Sequence, residues 1–162
     1  MEIIKADIRD ADVVGYVHST AWKQAYADVF AEEYLKEDTP EKRTQEFLQA
    51  CNDKDIYYYM IREQEKTVGI IKVVVSCDVC EISSFYLLEE YRNKGYGKQV
   101  IMLLKTIFNS MKIQLWVLKD NIKARRFYEK NGFKSTGRER YIDRGNYHTQ
   151  IQYELVREDW AE

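Results

Sequence analysis

YRNKGYGKQV, residues Tyr91–Val100, decides how this chain is read. Two glycines, Gly95 and Gly97, stand one residue apart with basic residues on both sides. Before them runs EISSFYLL (81–88), rich in the aromatic and β-branched residues that favour strands. After them runs VIMLLKTIF (100–108), where Val100, Leu104, Ile107 and Phe108 recur at helical spacing. A glycine segment between a strand and a helix exposes the free N–H groups of the helix N-terminus, which carries about half a positive charge. Glycine there permits left-handed backbone and the close approach of a ligand. Such a junction is an anion site suited to phosphate, and Arg92, Lys94 and Lys98 add charge to it.

Two common phosphate patterns fail here. A Walker loop needs four residues between its glycines and a Ser or Thr after the lysine, whereas Lys98 is followed by Gln99. A dinucleotide fingerprint needs a third glycine where Val100 stands. Arg-x-x-Gly-x-Gly remains, and alone it is also compatible with a simple turn before a helix.

Working outward, three strand-like runs precede the junction: IYYYMIRE (56–63), VGIIKVVVS (68–76) and VCEISSFYLL (79–88). Polar turns separate them, which predicts an antiparallel meander. After the junction helix, KIQLWVL (112–118) reads as a buried strand. DNIKARRFYEKNGF (120–133) then reads as a helix with Asp120 as N-cap, Gly132 as the left-handed residue past its end and Phe133 closing over it. FKSTGRERYI and YHTQIQYELV form a hairpin around DRGN (143–146), whose charges read as a solvated end. At the other end, EIIKADI (2–8) is a strand, and Asp10 or Asp12 caps a helix carrying Val14, Val17, Ala21 and Ala25 on its apolar face. Thr39-Pro40 marks the start of another helix. The predicted order is β-α-α-β-β-β-α-β-α-β-β: an α/β (α+β) domain over 1–162 with a largely antiparallel sheet flanked by helices, in which the 79–118 unit is parallel.

The 162 residues and an apolar share of 45% suit one domain with a real core. A net charge of −2 argues against nucleic acid as partner. No apolar run reaches the roughly 20 residues of a membrane span, and the acidic, periodic MEIIKADIRDAD is no signal peptide. The expectation is a cytoplasmic protein away from membranes. Its three cysteines, an odd number, give no disulfide framework. CDVC (77–80) lies between two strand-like runs and reads as ordinary turn and strand cysteines; with only His18 and His148 as histidines, no metal site is expected.

Asn121, Ala124, Phe127, Tyr128, Gly132 and Phe133, at their fixed spacings, together with SFYLLEEYRNKGYGKQ (84–99), resemble the GNAT superfamily of acetyl-CoA-dependent N-acetyltransferases. The resemblance is specific over about residues 68–135. TAWKQAYADVFAEEYL (20–35) resembles the opening helices of bacterial members of unassigned substrate. The resemblance implies transfer of an acetyl group from acetyl-CoA to a primary amine of a small molecule or peptide. It implies that Arg92, Asn93, Lys94, Gly95, Tyr96, Gly97 and Lys98 hold the pyrophosphate through backbone N–H groups. Phe85, Tyr86 and Leu87 would offer backbone to the pantetheine arm, Asn121 would help hold it, and Tyr128 would protonate the leaving sulfur. Glu89-Glu90, Asn93 and Tyr96 depart from the residues common in the family, without removing a backbone donor. Dimers are frequent in that family, so a homodimer is compatible with it.

The chemistry sets its own demands. An attacking amine must be neutral, the developing oxyanion needs a hydrogen-bond donor, and the thiolate gains from a proton. Tyr128 can give that proton, or it can be a core tyrosine beside Phe127. Glu81, a carboxylate in an otherwise neutral strand with Ser83 and Phe85 as its period-2 partners, is the candidate base; the alternative is a solvated strand-edge glutamate. Trp22, Tyr26 and Tyr34 lie where the resembling family builds its acceptor pocket; Tyr147 and His148 line the same cleft or a plain hairpin surface. A non-catalytic acyl-CoA-binding sensor or interaction module is the alternative function: it needs the glycine segment but not Tyr128.

Overall fold

A computed structural model describes residues 1–157. Its strands are β1 (Glu2–Lys5), β2 (Ile56–Glu63), β3 (Lys66–Ser76), β4 (Val79–Leu87), β5 (Lys112–Leu118), β6 (Phe133–Asp143) and β7 (Tyr147–Leu155). Its helices are α1 (Ala11–Tyr26), α2 (Glu32–Glu37), α3 (Pro40–Ala50), α4 (Tyr96–Ile107) and α5 (Ile122–Lys130). The order matches the sequence expectation except for α2, whose six residues are too few to show a helical period. The strands form one sheet in the order β1-β2-β3-β4-β5-β7-β6. Only β4 and β5 pair in parallel, and α4 crosses between them. Among the described residues, no helix is long and apolar enough to cross a membrane.

The sheet is covered on both faces. Val14, Val17 and Ala21 of α1 and Phe47 of α3 pack with Tyr58, Met60 and Ile70 on one side. Val100, Ile101 and Leu104 of α4, with Phe127 of α5, pack against Ile71, Val73 and Leu115 on the other. Helix ends follow local chemistry: the Thr39 hydroxyl accepts the Lys42 N–H at 3.2 Å with Pro40 at the first helical position, and Gly132 takes φ +92° past α5 with Phe133 buried behind it. The N-cap of α5 is Asn121 rather than Asp120; the Asn121 Oδ1 accepts the Ala124 N–H at 3.1 Å. Cys77 is an exposed turn residue at φ +53° and Cys80 a fully buried strand residue, so CDVC is turn and strand.

The pairing of β3 with β4 is irregular at one point. Lys72 pairs with Ser84 but Val73 pairs with Ile82, so Ser83 is an extra residue in β4. A bulge of this kind re-aims the side chains beyond it. Before it, Cys80 and Ile82 enter the α4–α5 core; after it, Phe85 and Leu87 do. Glu81 therefore shares a face with Ser84 and Tyr86; of its two expected period-2 partners, Ser83 stays on its side and Phe85 turns into the opposite core. At the same point the strands part: β4 pairs with β5 only from Val79 to Ile82, while β5 stays paired with β7 through Leu118. From Ser83 onward β4 has an edge with no β5 partner.

Candidate active site

The glycine segment lies between β4 and the head of α4. Asn93 (φ +60°) and Gly95 (φ +84°) are left-handed, and the helix begins at Tyr96 with no side chain capping it. The first backbone N–H to find a partner is that of Gln99, which donates to the Gly95 carbonyl at 3.4 Å. Among the described residues, no backbone N–H from Asn93 to Lys98 has an acceptor. The basic side chains divide their roles. The Arg92 Nε donates to the Leu87 carbonyl at 3.2 Å, tying the loop to the end of β4. The Lys94 ammonium lies 5.2 Å from the centre of the Tyr91 ring, and Lys98 is exposed. Tyr96 donates its hydroxyl to Glu63 at 2.7 Å.

The two glycines do different work. A Cβ on Gly95 would meet nothing within 4 Å, so its requirement is the left-handed backbone. A Cβ on Gly97 would stand 2.6 Å from the Phe127 ring. Gly97 thus lets α4 and α5 approach each other.

The loop adjoins the open edge of β4. Phe85 and Leu87 turn their side chains into the core, with the Phe85 and Phe127 rings 6.3 Å apart, so what they offer outward is backbone. Alternate N–H and C=O groups along such an edge can receive an extended amide chain as an added strand. Asn121, at the end of β5, has its oxygen committed to capping α5 and keeps its NH₂ as donor.

On the face covered by α1 lies a cleft of about 530 Å³. Its wall is aromatic: Trp22, Tyr26, Phe30, Tyr34, Tyr86 and Trp116. Adjacent rings from Trp22 to Tyr34 lie 4.7 to 6.0 Å apart. Glu81, Ser83 and Ser84 form part of the lining beside the split in the sheet. The Tyr26 and Tyr86 hydroxyls are 3.2 Å apart. Burial raises the phenol pKa of both, and that of Tyr128 as well. Tyr128 does not line the cleft; it packs edge-on against Phe127 at 5.1 Å and Phe133 at 5.5 Å, on the opposite face. After burial, Tyr26 adds to the raising of the Tyr128 phenol, and Tyr128 adds a smaller part to that of Tyr86.

At the α3 end, Arg43 pairs with Asp38 at 2.6 Å and Glu46 at 2.9 Å, and Lys72 pairs with Glu46 at 2.8 Å. Burial alone would raise the Glu46 carboxyl, but the Lys72 hydrogen bond and the two cations bring it down to about 2. Behind this network His18 is 1% exposed, stacked 5.8 Å from Tyr86. Burial, reinforced by the Arg43 charge, pushes its imidazole down to about 3, so it is neutral.

The structure brings Trp22, Tyr26, Tyr34 and Glu81 to the lining of one cleft. Tyr147 is 82% exposed and His148 packs edge-on against Phe30 at 5.1 Å; neither lines it. Arg140, Ile142 and Arg144 do line it, so the ERYIDRGN end is not merely solvated. The adjacent small polar pair Ser83-Ser84, unusual inside a core strand, was the available signal for the bulge. Nothing local marked the Tyr26–Tyr86 contact, which joins residues 60 apart in the chain.

Residues 19–133 match the family model described as "Acetyltransferase (GNAT) family". The spermidine N(1)-acetyltransferase of Thermoplasma acidophilum is 28% identical over 142 residues, spanning 83% of this chain and 88% of the relative. Among solved structures, the PaiA N-acetyltransferase of Thermoplasma acidophilum in complex with coenzyme A superposes with a TM-score of 0.79 at 24% identity, covering 96% of this chain and 98% of that one. An acetyltransferase from Thermus thermophilus superposes with a TM-score of 0.73 at 18% identity, covering 95% and 96%. With the family model matched over residues 19–133 and a sheet that splits at β4–β5, this chain belongs to the GNAT family of acetyltransferases and is an N-acetyltransferase.

Proposed function

We propose that the protein transfers the acetyl group of acetyl-CoA to the primary amine of a small molecule or peptide. The observation that carries this is the parting of β4 from β5, which joins an anion site and an unpaired strand edge on one side to an aromatic cleft on the other. Acetyl-CoA supplies an activated thioester. The backbone N–H groups from Asn93 to Lys98 receive its pyrophosphate, with Arg92, Lys94 and Lys98 supplying charge. The edge from Phe85 to Leu87 receives the amides of the pantetheine arm, and the Asn121 NH₂ adds a donor. Glu81 takes the proton of the acceptor ammonium, directly or through one water, as the new N–C bond forms. Tyr128 donates its phenolic proton to sulfur as the C–S bond breaks. A phenol that burial keeps protonated across neutral pH is suited to the second task.

Thermal unfolding with and without acetyl-CoA, in EDTA, tests the donor. Millimolar acetyl-CoA should raise the melting temperature by mass action, and no shift would overturn the proposal. Release of CoA thiol with an amine panel tests the transfer. Spermidine belongs in that panel because the Thermoplasma relative bears its name.

A further inference from the structure

The charges lining the acceptor cleft are Glu37, Asp38, Lys42, Arg43, Glu46, Glu81, Arg140 and Arg144. Asp38 and Glu46 are consumed by Arg43 and Lys72. Glu37 and Lys42 are exposed and of opposite sign. That leaves Glu81 on β4, Arg140 on β6 and Arg144 in the turn that follows β6. Neither of these arginines forms an ion pair among the described residues. Arg140 is nonetheless held in place: its guanidinium lies 4.4 Å above the centre of the Trp116 ring, and its Nε donates to the Gln150 Oε1 at 2.7 Å. Its two terminal nitrogens have no hydrogen-bond partner among the described residues. Arg144 donates one terminal nitrogen to the Asp143 carbonyl at 2.8 Å and keeps the other. Glu81 is near enough to favour the charged form of Arg140, which burial disfavours, yet no salt bridge joins them.

An oriented, unpaired guanidinium is a carboxylate receptor. A nearby carboxylate that does not close onto it leaves a slot with a negative and a positive wall. We propose that the acceptor amine carries a carboxylate beside it: a free α-amino acid with an apolar side chain. Its carboxylate is held by Arg140 and Arg144, its ammonium by Glu81, and its side chain by the aromatic wall of Trp22, Tyr26 and Tyr34. This rests on the acetyl transfer proposed above and goes beyond it, because it sets a zwitterion ahead of a polyamine. A polyamine brings only positive charge to a slot where two arginines lack carboxylate partners.

The test compares acceptors that differ only in the carboxylate, by thiol release from acetyl-CoA: L-leucine with isoamylamine, L-phenylalanine with phenethylamine, L-lysine with cadaverine, and spermidine alone. For the wild-type protein, kcat/KM should be at least about tenfold higher for the best amino acid than for its matched amine, since a charged hydrogen-bonded contact is worth about 10- to 100-fold. Arg140→Gln should bring that ratio close to one. The proposal is overturned if spermidine or a plain amine equals or exceeds every amino acid, or if the ratio survives in Arg140→Gln. It is also overturned if acetyl-CoA raises the melting temperature but no amino acid is acetylated. If acetyl-CoA itself gives no shift, the acetyl-transfer proposal falls first, and this one with it.

Discussion

Gly97→Ala is the substitution whose cost the structure lets one work out. The added Cβ would lie 2.6 and 2.7 Å from two carbons of the Phe127 ring. Carbon atoms settle near 3.5–4.0 Å, so the ring must retreat by about 1 Å. It cannot do so freely, because it packs 5.1 Å from the Tyr128 ring and 6.3 Å from Phe85. Overpacking of this kind costs about 1–3 kcal/mol. Alanine returns up to about 1 kcal/mol of helix propensity. The net expectation is a loss of about 1–2 kcal/mol, or about 2–8 °C in melting temperature for a domain of this size. Phe127→Leu shortens the obstructing side chain. A double-mutant cycle, read by urea unfolding, should therefore show the pair losing less than the sum of the singles by about 1 kcal/mol. Additivity within about 0.5 kcal/mol, or a Gly97→Ala variant as stable as wild type, would refute the assignment of Gly97 to helix–helix packing.

Gly95→Val should cost about 1–2 kcal/mol for a left-handed β-branched residue and abolish the acetyl-CoA melting shift; a retained shift would show that the loop geometry is dispensable. Tyr128→Phe should keep that shift and lower kcat by about 10²–10⁴-fold; turnover at the wild-type rate would reduce Tyr128 to packing. Activity should rise between about pH 6 and 9 as the acceptor amine loses its proton, and Glu81→Gln should lower kcat/KM most near pH 7. A Gln variant that tracks the wild-type curve would mean that another group takes the proton. His18 titrates near 6.5 when unfolded but at about 3 when folded, so its contribution is full above pH 6.5 and falls by about 1.4 kcal/mol per pH unit below that. Urea unfolding at pH 7.5 and 5.5 should show wild type losing about 1.4 kcal/mol more than His18→Phe over that interval, and equal losses would count against a neutral buried imidazole.

What was legible in the sequence was whatever short-range chemistry dictates. The meander, the Thr39-Pro40 start of α3, the Gly132 stop of α5 and the left-handed Gly95 each follow from a few adjacent residues. Asp120 and Asn121 are both competent N-caps, and only the path of the chain leaving β5 chooses the second. Gly97 looked like Gly95 because the residue that makes it necessary, Phe127, is 30 positions away. Arg140 and Arg144 read as a solvated turn because no local pattern reports that the β6–β7 arm leans over the cleft. Its tip rests on α2, where a Cβ on Gly145 would stand 3.2 Å from the Tyr34 Cβ.

The extra residue at Ser83 makes the length of β4 matter as much as its composition. Removing it would leave one serine where two adjacent ones stand, a change easily counted as trivial when homologues are aligned. Yet with Ser84 directly after Ile82 the alternation would run unbroken, keeping Ile82, Phe85 and Leu87 on the core face and Glu81, Ser84 and Tyr86 on the other; what would be lost is the bend and added twist of the bulge, at the point where β4 leaves β5. A single-residue gap at this point in a related sequence therefore separates proteins with a bent β4 from those with a straight one, however closely the flanking residues agree.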